Sequence, residues 1–172
     1  MQHKIFKIVP AQSRITWIGR KVTGSHDGTI DLKDGELILS NGNLAGGSFI
    51  ADTTSIKVLD IADPATNEQM TGHLASEDFF SIQKYPEAKL DIISVKEKQV
   101  DANLTIRGIT HRVNFEALIE TNETFLTASA RVVIDRTKYE MKFRSGNFFQ
   151  NLGDTLIYND FDLIITLTAK AA

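Results

Sequence analysis

The chain contains no cysteine, which excludes disulfides, thiolate catalysis and cysteine metal sites, and leaves its redox compartment unmarked. It has no apolar run long enough to cross a bilayer as a helix. An excess of one charge is also lacking: 19 lysines and arginines face 22 aspartates and glutamates, a formal net charge of -3. The basic residues are scattered rather than clustered, so neither nucleic acid nor an anionic membrane is an expected partner. There is no Gly-x-Ser-x-Gly elbow, no His-Glu-x-x-His helix and no phosphate-cradling glycine loop, and an enzymatic role is not expected. The opening residues, MQHKIFKIVPAQS, carry no apolar stretch of signal-peptide length and no small-residue cleavage site. As written, the chain is expected in the cytoplasm.

What is present is a period of two. With 172 residues, 42% hydrophobic and 24% charged, the sequence suits one soluble globular domain over residues 1–172, large enough to bury a core unaided. In VDANLTIR, Val100, Ala102, Leu104 and Ile106 share one face while Asp101, Asn103, Thr105 and Arg107 share the other, as in a half-buried strand. The alternation returns in Val113, Phe115, Ala117 and Ile119, in Leu126, Ala128, Ala130, Val132 and Ile134, and in Phe161, Leu163, Ile165 and Leu167. Ile15 with Trp17, Leu37 with Leu39, and Leu90 with Ile92 supply shorter pairs. Asp34-Gly35 and Asn41-Gly42 predict two-residue hairpin turns, because such turns need positive φ. About eight or nine antiparallel strands are expected.

Between about Leu59 and Tyr85 the alternation stops. Asp63 is placed to cap a helix with Pro64 at its first position, Gly72 suits a left-handed residue ending it, and a second short helical turn is expected near Ser76. A short helical insert therefore joins two blocks of strands, with no repeat, low-complexity run or linker to mark a second domain. So many strands in a small domain expose edges unless the sheet closes, so a barrel or sandwich is expected. An eight-stranded barrel is just wide enough to be filled by side chains or to hold one slender ligand. Alternation alone also suits a membrane barrel with its apolar face outward; the helical insert favours the soluble form.

Three stretches go beyond fold class: GHLASEDFFSIQKYPEAKLDI from Gly72, LTIRGITHRV from Leu104 and IDRTKYEMKF from Ile134. Together with WIGRKVTGSHDGTIDLKDGEL and FRSGNFFQNLGDTLIYNDFDL, they resemble the YceI-like family from about Val9 to Leu167. The most specific part is the order His73, Leu74, Asp78, Phe79, Phe80, Tyr85, Pro86. Met70, Thr71 and Gly72 stand where the family commonly carries an Arg-Asp pair, which puts any role of that pair in doubt here.

The resemblance implies a mainly β, lipocalin-like antiparallel barrel that carries or stores an elongated apolar lipid, a polyisoprenoid or isoprenoid quinone, along its interior. No cofactor beyond such a lipid is implied. A homodimer is compatible with it, as is a periplasmic location if a leader was trimmed before Met1. The implied lining comprises Ile15, Trp17, Phe49, Leu90 and Ile92 from the first strands. Leu104, Ile106, Val113, Phe115, Val132, Ile134, Leu163 and Ile165 extend it, Phe79 and Phe80 pack inward from the insert, and His73 stands at the mouth.

Each candidate also has an ordinary explanation. His73 could satisfy buried backbone groups near a helix end, and the aromatic and aliphatic side chains could simply form core. Arg20, Lys21, Arg136, Lys138 and Arg144 could meet an anionic head group at a rim or only keep the surface soluble. His26, Asp27, His73 and His111 are chemically competent metal ligands, but no two of the histidines have ligand-pair spacing, and no metal is expected. A filled structural barrel, and an enzyme using His73 or His26 on an isoprenoid, stay open as alternatives.

Overall fold

In the computed structural model, which describes residues 3–146, 152–153 and 156–172, the alternating segments form nine strands. They are β1 (His3–Ile8), β2 (Arg14–Lys21), β3 (Gly24–Ser40), β4 (Asn43–Val58), β5 (Glu87–Lys96), β6 (Gln99–Ile106), β7 (Ile109–Thr121), β8 (Phe125–Asp135) and β9 (Ile157–Ala171). Strands β2 to β9 pair in the order β3-β2-β9-β8-β7-β6-β5-β4, and pairing of β4 with β3 closes the ring. Closure leaves no terminal edge, the general solution to strand exposure. All the pairings are antiparallel.

Strand β1 completes the wall. Lys21 to Ile15 of β2 pair with Gly24 to Ile30, the first half of β3, whereas β1 pairs with Glu36 to Ser40 in its second half and with Ala169 to Ala171 of β9. β1 and β2 are thus two halves of one stave, separated by a 3₁₀ turn at Pro10–Gln12 where Ser13 Oγ donates to the Val9 carbonyl.

The turn signals divide. Asn41 and Gly42, with φ of 53° and 83°, form the tight reversal between β3 and β4, with Ser40 opposite Asn43. Asp34-Gly35 does not reverse the chain; β3 runs straight through it, with a register shift between Leu32 and Asp34. The glycine is needed there for close approach, since a Cβ on Gly35 would lie 2.5 Å from Phe49 Cβ. The residue pair marks a register irregularity within a long strand.

The insert contains α1 (Pro64–Ala75), started as expected by Asp63, whose carboxylate accepts from the Thr66 N–H at 2.9 Å. Gly72 does not end it. The helix continues to Ala75 and is closed by Ser76, whose N–H and Oγ both donate to the His73 carbonyl. Near Ser76, where a second short helical turn was expected, Ser76 to Lys84 make successive hydrogen-bonded turns, with the Phe79 N–H donating to the Ser76 carbonyl and the Phe80 N–H to that of Leu74. These bonds turn both phenylalanines inward, and each is 8% exposed.

The core is the barrel interior. Inward residues of β6, Val100, Ala102, Leu104 and Ile106, are buried, and so are Leu126, Val132 and Ile134 of β8. Burying each such aliphatic side chain contributes about 1.5–3 kcal/mol.

Candidate functional site

One end of the barrel is wider than the rest. A chamber of about 290 Å³ opens there, walled by Trp17, Phe161 and Ile157 from the strands, Met70, His73 and Leu74 from α1, and Phe79 and Phe80 from the turns. Met141, Phe143, Arg136 and Arg144, from the segment after β8, also line it, together with Arg20, Lys21 and His26 of β2 and β3 and Tyr158 and Asp160 of β9. Below it the lumen narrows to a gap of about 50 Å³ bordered by Ile15, Phe49, Leu90, Leu104, Ile106, Val132, Leu163 and Ile165. A further gap of about 30 Å³ lies among Ile92, Val100, Phe115 and Ala117. The spaces run in series: Phe80 and Phe161 border both the chamber and the middle gap, while Phe49, Leu90 and Ile165 border both gaps.

Of the residues expected to line a ligand, Trp17, His73, Phe79 and Phe80 border the chamber, and Ile15, Phe49, Leu90, Ile92, Leu104, Ile106, Phe115, Val132, Leu163 and Ile165 border the narrower gaps. Val113 and Ile134 belong to or pack against the core without bordering these spaces.

Two of the three sequence motifs line the chamber, and the other is tied to both through Arg107. In LTIRGITHRV, Arg107 and Gly108 turn between β6 and β7 with positive φ, and Tyr85 of the first motif lies over Gly108, where a Cβ would come within 3.1 Å of its ring. Arg107 Nη1 donates to the Phe79 carbonyl at 3.0 Å and to the Glu140 carbonyl at 2.9 Å, tying the insert to the segment after β8. In IDRTKYEMKF, Asp135 caps a 3₁₀ turn (Arg136–Tyr139) by accepting from the Thr137 N–H and hydroxyl. Tyr139 is 1% exposed, and burial pushes its phenol up to about 12. Its ring meets His111 edge-on at 5.2 Å, and His111 Nε2 lies 2.9 Å from the Lys138 carbonyl oxygen. This turn packs against β7 at His111, in the stretch before β7 pairs with β8, since that pairing extends only from Ala117 opposite Ala130 to Thr121 opposite Leu126.

The mouth is aromatic. His73 meets Phe79 edge-to-face at 5.0 Å and Phe143 at 4.6 Å, while its Nε2 lies 3.1 Å from Asp78. His26 pairs with Asp60 at 2.8 Å. His26 and His73 border the same chamber but are paired with Asp60 and Asp78, and among the described residues no group of three metal-competent side chains converges.

Arg136 differs from the other chamber cations. It is 3% exposed, and it donates to the Met141, Ile157 and Tyr158 carbonyls at 2.6, 3.0 and 3.0 Å. Burial lowers its guanidinium to about 10, against a weaker opposing pull from Asp135. Its charge also lies 5.8 Å from the Phe79 ring centroid.

Strand periodicity could not reveal Met141, Phe143 or Met70 as chamber residues, because none lies on a strand. The weak signal was the third motif itself, whose KYEMKF ends on two of them. Within FRSGNFFQNLGDTLIYNDFDL, residues 147–151 and 154–155 lie outside the described residues.

A closed eight-stranded antiparallel barrel with an apolar chamber at one end is the architecture of the lipocalin-like proteins. The chain belongs to the YceI-like domain family, whose model matches residues 6–169. Its fold is similar to that of a polyisoprenoid-binding domain from Saccharophagus degradans implicated in plant cell wall breakdown, with a TM-score of 0.73 at 12% identity over 97% of this chain and 98% of that one. It is also similar to BcnA of Burkholderia cenocepacia, with a TM-score of 0.69 at 16% identity over 94% of this chain and 99% of that one. A UPF0312 protein of Pseudomonas putida (strain W619) is 46% identical over 50 residues, a match spanning only 26% of this chain and 26% of that relative.

Proposed function

We propose that this protein binds an elongated apolar lipid, a polyisoprenoid or isoprenoid quinone, end-on in the barrel, and that it carries or stores this lipid rather than transforming it. The observation that supports this reading is the apolar chamber of about 290 Å³ aligned with smaller apolar gaps down the lumen. Membership of the YceI-like family and the fold shared with a polyisoprenoid-binding domain support it too. Each methylene moved from water into the lumen contributes about 0.8 kcal/mol, so a few isoprene units offset much of the cost of immobilising the lipid. Binding without catalysis is the reading that membership of the YceI-like family and the fold shared with a polyisoprenoid-binding domain support.

The narrow gaps of about 50 and 30 Å³ favour a second reading, a structural barrel with a filled interior. The two separate by mass spectrometry of an organic extract from natively purified protein. A stoichiometric isoprenoid is expected, and it should diminish in Ala51→Leu, which adds three carbons to the wall of the middle gap. An empty extract, together with no uptake of a fluorescent apolar probe by the folded protein, would support the filled barrel.

A further inference from the structure

The chamber is apolar, yet its charged groups are unequal. Arg20, Lys21, Arg136 and Arg144 border it against the single carboxylate of Asp160. Arg20 is already committed to Asp162 at 3.0 Å. Among the described residues no carboxylate lies in ion-pair contact with Lys21, Arg136 or Arg144. Asp135, the chain neighbour of Arg136, turns its Oδ1 to Thr137.

Arg136 is the informative member. A buried cation costs stability unless it is paired, and the three carbonyls it touches offer dipoles but no negative charge. Those carbonyls take three of the five N–H donors a guanidinium carries. Two remain on a side chain that borders the chamber. Trp17, on the strand wall of the same chamber, has a buried indole N–H without a hydrogen-bond partner among the described residues. A neutral quinone ring could accept hydrogen bonds here but would bring no negative charge to Arg136, on which the pull of Asp135 is weaker than the effect of burial. A compact oxyanion would accept hydrogen bonds and balance the charge, and guanidinium geometry suits it.

We propose that the chamber selects lipids whose head group is a phosphate ester, with Arg136 as the innermost, specificity-determining contact and Lys21 and Arg144 at the rim. This rests on the carrier reading above. The isoprenoid tail would then point past Phe80 and Phe161 into the lumen, and the head would stay among the cations.

The test compares two probes that differ only at the head, geranylgeranyl monophosphate and geranylgeraniol, titrated into delipidated full-length protein with Trp17 emission as the signal. The phosphate is expected to bind about tenfold tighter or more, with the advantage shrinking at high ionic strength. In Arg136→Gln the preference should collapse. Because Arg136 also anchors three carbonyls, the double variant Lys21→Gln/Arg144→Gln provides a second test at the rim, and there the preference should fall several-fold. Equal binding of the two probes to the unmodified protein would overturn head-group selection while leaving the carrier reading intact, whereas binding of neither would overturn both. An undiminished preference for the phosphate in whichever of the two variants folds would overturn the assignment to these cations.

Discussion

Phe80 and Phe161 meet edge-to-face with ring centroids 6.5 Å apart, at the level where the end chamber gives way to the narrow lumen. One ring comes from the insert and the other from β9, so the constriction is built by segments about eighty residues apart in the chain. Truncating one ring should join the two spaces. Phe80→Ala is expected to cost about 3–5 kcal/mol of stability and to shift binding toward longer or bulkier apolar probes. Urea unfolding and a chain-length series read the two effects separately; an unchanged length preference would show that this pair does not control depth.

Gly28 is a packing requirement. A Cβ there would lie 1.7 Å from the Lys57 carbonyl oxygen and 2.6 Å from the Trp17 ring. Because the first obstacle is backbone, Gly28→Ala must separate β3 from β4 as well as displace the indole. A loss of about 2–4 kcal/mol is expected, with altered Trp17 emission, since the chain has one tryptophan. A variant with the parent's midpoint and spectrum would contradict the close contact.

Asp162 faces the outside of the barrel yet is only 4% exposed, because Arg20 and Arg131 cover it. The Arg20 hydrogen bonds hold its carboxyl below the ordinary carboxylate range; burial opposes this and Arg131 adds to it. A carboxyl with a lowered folded-state pKa stabilises fully above its unfolded value, near 3.9, and loses that contribution as pH falls through the folded value. Both arginines are partly solvated, so Asp162→Asn should cost only about 1–2 kcal/mol at neutral pH. The gap between the denaturant midpoints of the two proteins should close below about pH 4, and a gap constant into strong acid would exclude the ion-pair origin.

Arg107 hydrogen-bonds the insert to the segment after β8, two segments that also meet through the His73, Phe79 and Phe143 rings. Removing its bonds to the Phe79 and Glu140 carbonyls should cost about 1.5–3 kcal/mol, the range for hydrogen bonds from a charged donor. The loosening should be local. Hydrogen exchange in Arg107→Ala is expected to quicken at the amides of Phe79 to Tyr85, with those of β8 and β9 holding their rates. Uniform acceleration throughout the barrel would instead indicate a global role.

The strands were legible in the sequence wherever one face meets the lumen and the other meets solvent, as in β6, where Val100, Ala102, Leu104 and Ile106 alternate with polar residues. Asp63 as a helix cap and Asn41-Gly42 as a reversal were also legible, because each depends on a few neighbouring residues. Asp34-Gly35 misled for the same reason. A local turn preference was overridden by the need for Gly35 to pass close to Phe49 within a continuous strand. Gly72 was overridden by the helix, which ends where Ser76 can bond back to His73.

The sequence by itself determined an antiparallel β fold with a short helical insert and, through contiguous motifs, the family to which the chain belongs, because period-two burial and capping are local; closure of the sheet was decided by long-range pairing of β3 with β4. The tertiary structure alone decided where the lumen is wide, that β1 and β2 share a stave, and that Arg136 is buried beside Phe79 and Ile157. The physical reason is range: a chamber is the space left between side chains distant in the chain, and its shape depends on how closely Phe80, Phe143 and Phe161 approach once the barrel has closed.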